Sequence, residues 1–122
     1  LPRPVIASSV RNVYGDPEKV TPELIERYYE ITLRAGNRGA LTERLRQSSR
    51  GEDFEKIATI RAPTLILWGG RDRLILPEDA ERFHRDIPGS ALVVFDDLGH
   101  VPHEEDPART AEAVRDFLAR HP

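Results

Sequence analysis

The chain has 122 residues, enough for one domain and too few to argue for two. Its 18 basic and 21 acidic side chains leave a formal net charge of -3, which argues against nucleic acid or an anionic membrane surface as a partner. Cysteine is absent, so a disulfide framework and a thiolate metal site are both excluded. No apolar run approaches the roughly 20 residues a bilayer span needs, and no signal-peptide pattern opens the chain. A soluble, cytoplasmic protein is the expectation. Methionine is absent and the sequence opens Leu1-Pro2-Arg3-Pro4, which suggests a piece of a longer protein.

Residues 1 to 20 hold three prolines and little periodicity, and read as irregular, with a weak strand signal over 4 to 10. Thr21-Pro22-Glu23 then supplies a cap, a proline at the first helical position and an early acid. Leu24, Ile25, Tyr28 and Ile31 follow at helical spacing, so a helix is expected from about 22 to 34, stopped by Gly36. Asn37 can cap a second helix with Leu41 and Leu45 on one face. S-S-R-G-E-D, residues 48 to 53, reads as a surface loop or linker.

After Pro63 the pattern changes. T-L-I-L-W, residues 64 to 68, is a short continuous apolar run ending at Gly69-Gly70, which suits a strand buried on both faces. Pro77-Glu78-Asp79 opens a helix to about 87, with Ala80 and Phe83 inward and a stop near Pro88-Gly89. A-L-V-V-F, residues 91 to 95, is a second buried strand. Asp106-Pro107 caps a last helix whose apolar stripe is Ala111, Val114, Phe117 and Leu118. Strand, helix, strand, helix is the signature of a parallel sheet with crossover helices, and the fold class is α/β. Two parallel strands need more neighbours than this chain supplies, so they read as the end of a larger sheet.

In open parallel sheets ligands gather beyond the carboxyl ends of the strands. The first strand runs into G-G-R-D, with Asp72 four residues past Trp68; the second runs into D-D-L-G-H, with His100 five residues past Phe95. The βαβ unit sets these loops side by side, where a carboxylate can accept the Nδ1 proton of His100 and fix its tautomer. The plainer alternative has Asp72 closing a turn and His100 satisfying a loop carbonyl. Asp96 and Asp97 compete as the acid, but both sit so near His100 that ending the strand suits them better.

P-T-L-I-L-W-G-G-R-D (63 to 72), I-P-G-S-A-L-V-V-F-D-D-L-G-H-V-P-H-E-E-D-P (87 to 107) and A-V-R-D-F-L (113 to 118) together resemble the C-terminal portion of an α/β-hydrolase. The resemblance implies that Asp72 is the triad acid and His100 the triad base. It covers about residues 57 to 120, and residues 1 to 56 match by position the helical cap that many members carry. It implies a small ester-like substrate and no cofactor. The family's nucleophile lies in a G-x-S-x-G elbow upstream of the acid, and no such pentapeptide occurs here. Ser90 starts the second strand, roughly 17 Å from its far end at about 3.3 Å per residue. Ser8, Ser9, Ser48 and Ser49 are no better placed, so the chain alone is expected to be inactive.

His100, His103 and Glu104 raise the question of a metal, but Pro102 breaks any regular helix between them and no standard spacing is matched. His103, Glu104 and Glu105 are expected to cap and charge the entrance of the last helix. His84 reads as a surface residue and Trp68 as core. Tyr14, Tyr28 and Tyr29 suit helix packing better than a cap-side pocket. The alternative to the hydrolase is a non-catalytic module that assembles as a homo-oligomer, or binds a partner, through an exposed sheet edge.

Overall fold

The computed structural model describes residues 2–47 and 54–121, so the expected loop at 48 to 53 lies outside the described residues. At its centre are two parallel strands, β1 (Leu65–Gly69) and β2 (Ala91–Phe95), paired in register from Leu65 opposite Ala91 to Gly69 opposite Phe95. The crossover between them is a helix, Pro77–Asp86, that packs on both strands. Ile66, Trp68 and Leu92 meet Ala80, Phe83 and Ile87 on that face. On the other face Leu67 lies beside Thr110, Ala111 and Val114 of the last helix, Pro107–Arg120. The α/β arrangement with a crossover helix is the one expected.

The N-terminal region departs from expectation. Residues expected to be irregular, with a weak strand over 4 to 10, form a helix, α1 (Arg3–Val13). Its prolines mask the helix in the sequence. Pro2 is the cap and Pro4 falls in the first turn, where a backbone N–H has no helical partner to lose. Ile6 and Val10, four residues apart, then lie on one buried face. They form a core with Tyr14, Val20 and Ile25, the last from the next helix, α2 (Pro22–Leu33).

Thr21 caps α2 as expected, its side chain accepting the Leu24 N–H at 3.2 Å. Gly36 takes φ 88°, the left-handed region that glycine enters without penalty. It is the cap of a third helix, α3 (Asn37–Arg46), which makes Asn37 the first helical residue rather than the cap. The Asn37 amide instead donates to Ile31 O at 2.7 Å, closing the end of α2. Leu41 and Leu45 are exposed.

Beyond a short helix, α4 (Phe54–Ile57), the crossover is α5, the single turn Pro102–Glu105 is α6 and the last helix is α7. Asp106 caps α7 by accepting the Arg109 N–H at 3.0 Å. The expected stripe is only partly covered: Phe117 is buried, while Ala111, Val114 and Leu118 are exposed. The sheet explains why. Ala91 N–H donates to Thr64 O and Gly70 N–H to Phe95 O, so the even-numbered residues of β1 face β2. The backbone of Leu65 and Leu67 faces the other way, and among the described residues no strand lies there to extend a surface under α7.

Candidate active site: an aspartate–histidine pair at the strand ends

Both loops leave the carboxyl ends of their strands and are stitched together there. Gly70 N–H donates to Phe95 O and Arg71 N–H to Leu98 O, each at 2.8 Å. Gly69 can only be glycine in this packing, since a Cβ would stand 1.9 Å from Gly99 O. Asp72 N–H then turns back to Gly69 O at 3.1 Å. That turn buries Asp72 to 7% exposure.

Both oxygens of the Asp72 carboxylate are engaged. Oδ1 accepts the Leu74 and Ile75 N–H groups at 2.8 and 3.0 Å, and Oδ2 lies 2.8 Å from His100 Nδ1. Burial pushes the Asp72 pKa up, but the hydrogen bonds from His100, Ile75 and Leu74, with the charge of His100, hold it below the usual carboxylate value. An ionised Asp72 can only accept, which places a proton on His100 Nδ1; in the neutral form of the ring Nε2 is then the nitrogen with the lone pair.

His100 is more open, with a side chain 33% exposed against 5% for Asp72. It lines a cleft of about 210 Å³ with Leu67, Trp68, Gly69, Asp72, Ile75 and Pro102. Its own N–H donates to Val13 O, at the end of α1, at 2.7 Å. A half-buried imidazole with a fixed tautomer, beside an ionised carboxylate and a cleft, can take and return a proton.

Two carboxylates on α6 are placed otherwise than expected. They do not serve the entrance of α7, which Asp106 caps. Glu104 Oε2 accepts the hydroxyls of Tyr14 and Tyr28 at 3.1 and 2.8 Å. Burial and the adjoining Glu104 raise the Tyr14 pKa and push that of Tyr28 up to about 12. Glu105 accepts the N–H groups of Gly15, at 2.9 Å, and of Gly99. From the acid loop, the Arg73 guanidinium donates to Tyr14 O at 2.8 Å and Gly15 O at 3.3 Å. No spacing in the sequence signals these contacts, because apart from Gly99, six residues from Glu105, the partners stand 58 to 90 residues apart.

The remaining candidates are elsewhere. Asp96 is exposed, and exposed Asp97 pairs with Arg109 at 2.9 Å. Ser90 bonds His84 Nδ1 at 2.9 Å at the start of β2, while Ser8 and Ser9 lie on the exposed side of α1. Ser48 and Ser49 fall outside the described residues. His103 is exposed, and His100, His103 and Glu104 form no three-ligand group among the described residues. Trp68 packs against Phe83 with ring centroids 6.2 Å apart and donates to Ile75 O at 3.3 Å.

The sequence profile of the alpha/beta hydrolase family matches residues 2–113. An uncharacterized hydrolase of Bacillus subtilis, YugF, is 27% identical over 113 residues, which are 93% of this chain and 41% of the relative. A pimeloyl-[acyl-carrier protein] methyl ester esterase of Neisseria meningitidis is 32% identical over 95 residues, covering 78% of this chain and 37% of its own length. Among solved structures, a serine hydrolase involved in carbazole degradation superposes with a TM-score of 0.88 at 24% identity, covering 98% of this chain and 48% of that one. At that identity the likeness speaks for the fold. The chain spans about two fifths of the curated relatives and about half of the solved structure.

Proposed function

This chain belongs to the alpha/beta hydrolase family, and from that premise we propose that it carries the acid and base of a nucleophile–His–Asp hydrolase acting on a small ester-like substrate. Residues 57 to 122 serve as the C-terminal part of the hydrolase core, and residues 1 to 56 as a cap-like helical segment. The nucleophile comes from an elbow that this sequence does not contain. The observation that carries the reading is the 2.8 Å contact between His100 Nδ1 and an Asp72 carboxylate already pinned by two backbone N–H groups.

The chemistry follows from that contact. Nε2 of His100 takes the hydroxyl proton as the nucleophile attacks the substrate carbonyl, and Asp72 stabilises the imidazolium and keeps its plane. The imidazolium then gives its proton to the leaving alcohol as the acyl–oxygen bond breaks. Water attacks the acyl-enzyme through the same base, releasing the acid and restoring the nucleophile. The related esterase is named for hydrolysing a methyl ester, which supports the ester-like class. An aspartate at the elbow would redirect the same scaffold toward dehalogenation or epoxide opening.

The test is to sequence the coding DNA upstream of Leu1 and, if an elbow serine is encoded there, to assay the longer protein on short-chain esters. His100→Ala should lower kcat by about 10³- to 10⁴-fold. An elbow protein that keeps its turnover without His100 would sink the proposal.

A second reading rests on one observation, the outward-facing backbone of Leu65 and Leu67 beside the exposed side chains of α7. Such an edge can pair with another copy of the chain. A monomer by size exclusion argues against this reading, and a dimer that a Leu67→Lys substitution dissolves argues for it.

A further inference from the structure

Building on the acid–base reading of Asp72 and His100, we infer that Glu105 is a positioning residue for His100, acting through the backbone of Gly99. Glu105 follows His100 by one turn of chain and reaches back under it. Oε1 accepts the N–H of Gly99, the residue immediately before the histidine, and the N–H of Gly15 at 2.9 Å. Oε2 accepts Gly15 again at 3.0 Å and Asp16 N–H at the long distance of 3.5 Å.

These N–H groups converge because two backbones cross in contact. A Cβ on Gly99 would be 2.4 Å from Gly15 N and 2.5 Å from Val13 O. A Cβ on Gly15 would be 2.7 Å from Gly99 N. The crossing brings like-oriented dipoles together with no room for water, and a carboxylate is the group that satisfies them at once. Glutamine in its place would offer one acceptor oxygen and turn an NH₂ donor toward N–H donors.

The consequence falls on His100. Gly99 N–H is tied to Glu105 and His100 N–H to Val13 O, so both peptide planes ahead of the histidine are fixed. The position of the His100 Cα and the direction of its N–Cα bond are then set, so that rotation about that bond and the side-chain torsions are what the Asp72 contact has left to fix. Glu104, the adjacent carboxylate, bonds tyrosine hydroxyls and no part of the 98 to 100 backbone, which makes it the natural control.

The experiment is NMR on this chain, comparing Glu105→Gln and Glu105→Ala with Glu104→Gln. In the Glu105 variants, amide exchange at Gly15 and Gly99 should quicken by about ten- to a hundredfold. The His100 Nδ1 proton, which a carboxylate partner draws downfield, should broaden into solvent exchange. Amides of Ala80 and Ile87 should keep their rates, and Glu104→Gln should keep the Nδ1 signal. An Nδ1 proton unchanged while Gly99 opens would make Glu105 a structural residue only and overturn the inference. Should the Glu105 variants not fold, an acid titration of the unaltered chain decides. The Nδ1 signal and Gly99 protection must fail together as the Glu105 side-chain carbon shift titrates; failure at a different point overturns the inference. None of these readouts needs turnover. The positioning role and the hydrolase reading therefore fail separately.

Discussion

Asp72 is held by its own loop, whereas His100 is held by residues far away in the chain. The Asp72 carboxylate takes N–H groups two and three residues ahead of it, the compact turn that aspartate forms with its own backbone. The loop of His100 leans on Val13, Gly15 and Glu105, and Glu105 meets Gly15 across 90 residues. The acid's carboxylate is therefore oriented by its own turn, although Arg73 beside it also reaches Tyr14 and Gly15. The base acquires its backbone geometry only when α1 is docked against α6. Half of the pair is a local structure and half a tertiary one.

Gly99→Ala would break the second loop hardest. The added methyl meets backbone atoms of Val13 and Gly15, which cannot turn aside, and a loss of about 3 kcal/mol in urea unfolding is expected. A loss below about 1 kcal/mol would mean that the crossing opens easily and that His100 is not held from outside. Asp72→Ala attacks the other side, stranding two backbone N–H groups and the His100 ring, at a cost of about 2 kcal/mol. The same residue sets an acid limit. Its pKa lies lower in the folded chain, so its contribution is complete above about pH 4 and is lost as pH falls through the lower folded value. Melting between pH 6 and pH 3 should show a smaller decline for Asp72→Asn than for the unaltered chain.

Two smaller changes sharpen the contrast. Tyr28→Phe removes one of the two hydroxyls on Glu104, and about 1 kcal/mol should be lost with Asp72 and its turn undisturbed. Arg109→Ala deletes a surface pair with Asp97 and a cation 5.3 Å above the Phe95 ring. Its effect should be the smallest of the series and shrink in salt. A larger loss there would show that the strand end, and not the α1 crossing, anchors the second loop.

The same division governs what the sequence made legible. Both strands, the crossover helix and the caps at Thr21 and Asp106 are written in neighbouring residues, and they were found. The adjacency of Asp72 and His100 followed from topology, because a βαβ unit must set its two outgoing loops together. Helix α1 is hidden in the sequence because Pro2 and Pro4 are breakers by type and helix starters by position. The nearest sequence neighbour of Glu104 and Glu105 in need of charge is α7, while their partners lie just past α1, on α2 and in the His100 loop. The α7 stripe is covered less than its pattern implies because amphipathicity reports a wish for burial, not a surface to satisfy it.

The crossing of Gly15 with Gly99 also orders events in time. Bringing Asp72 to His100 closes a loop of 28 residues, and bringing Gly15 to Glu105 closes one of 90. The longer closure costs about 1 kcal/mol more in chain entropy. The strand–helix–strand unit closes the shorter loop, and docking of the N-terminal helices onto it closes the longer one. During folding the acid and base would meet first, on a mobile histidine loop, and α1 would then arrive as the latch that gives the imidazole a single direction.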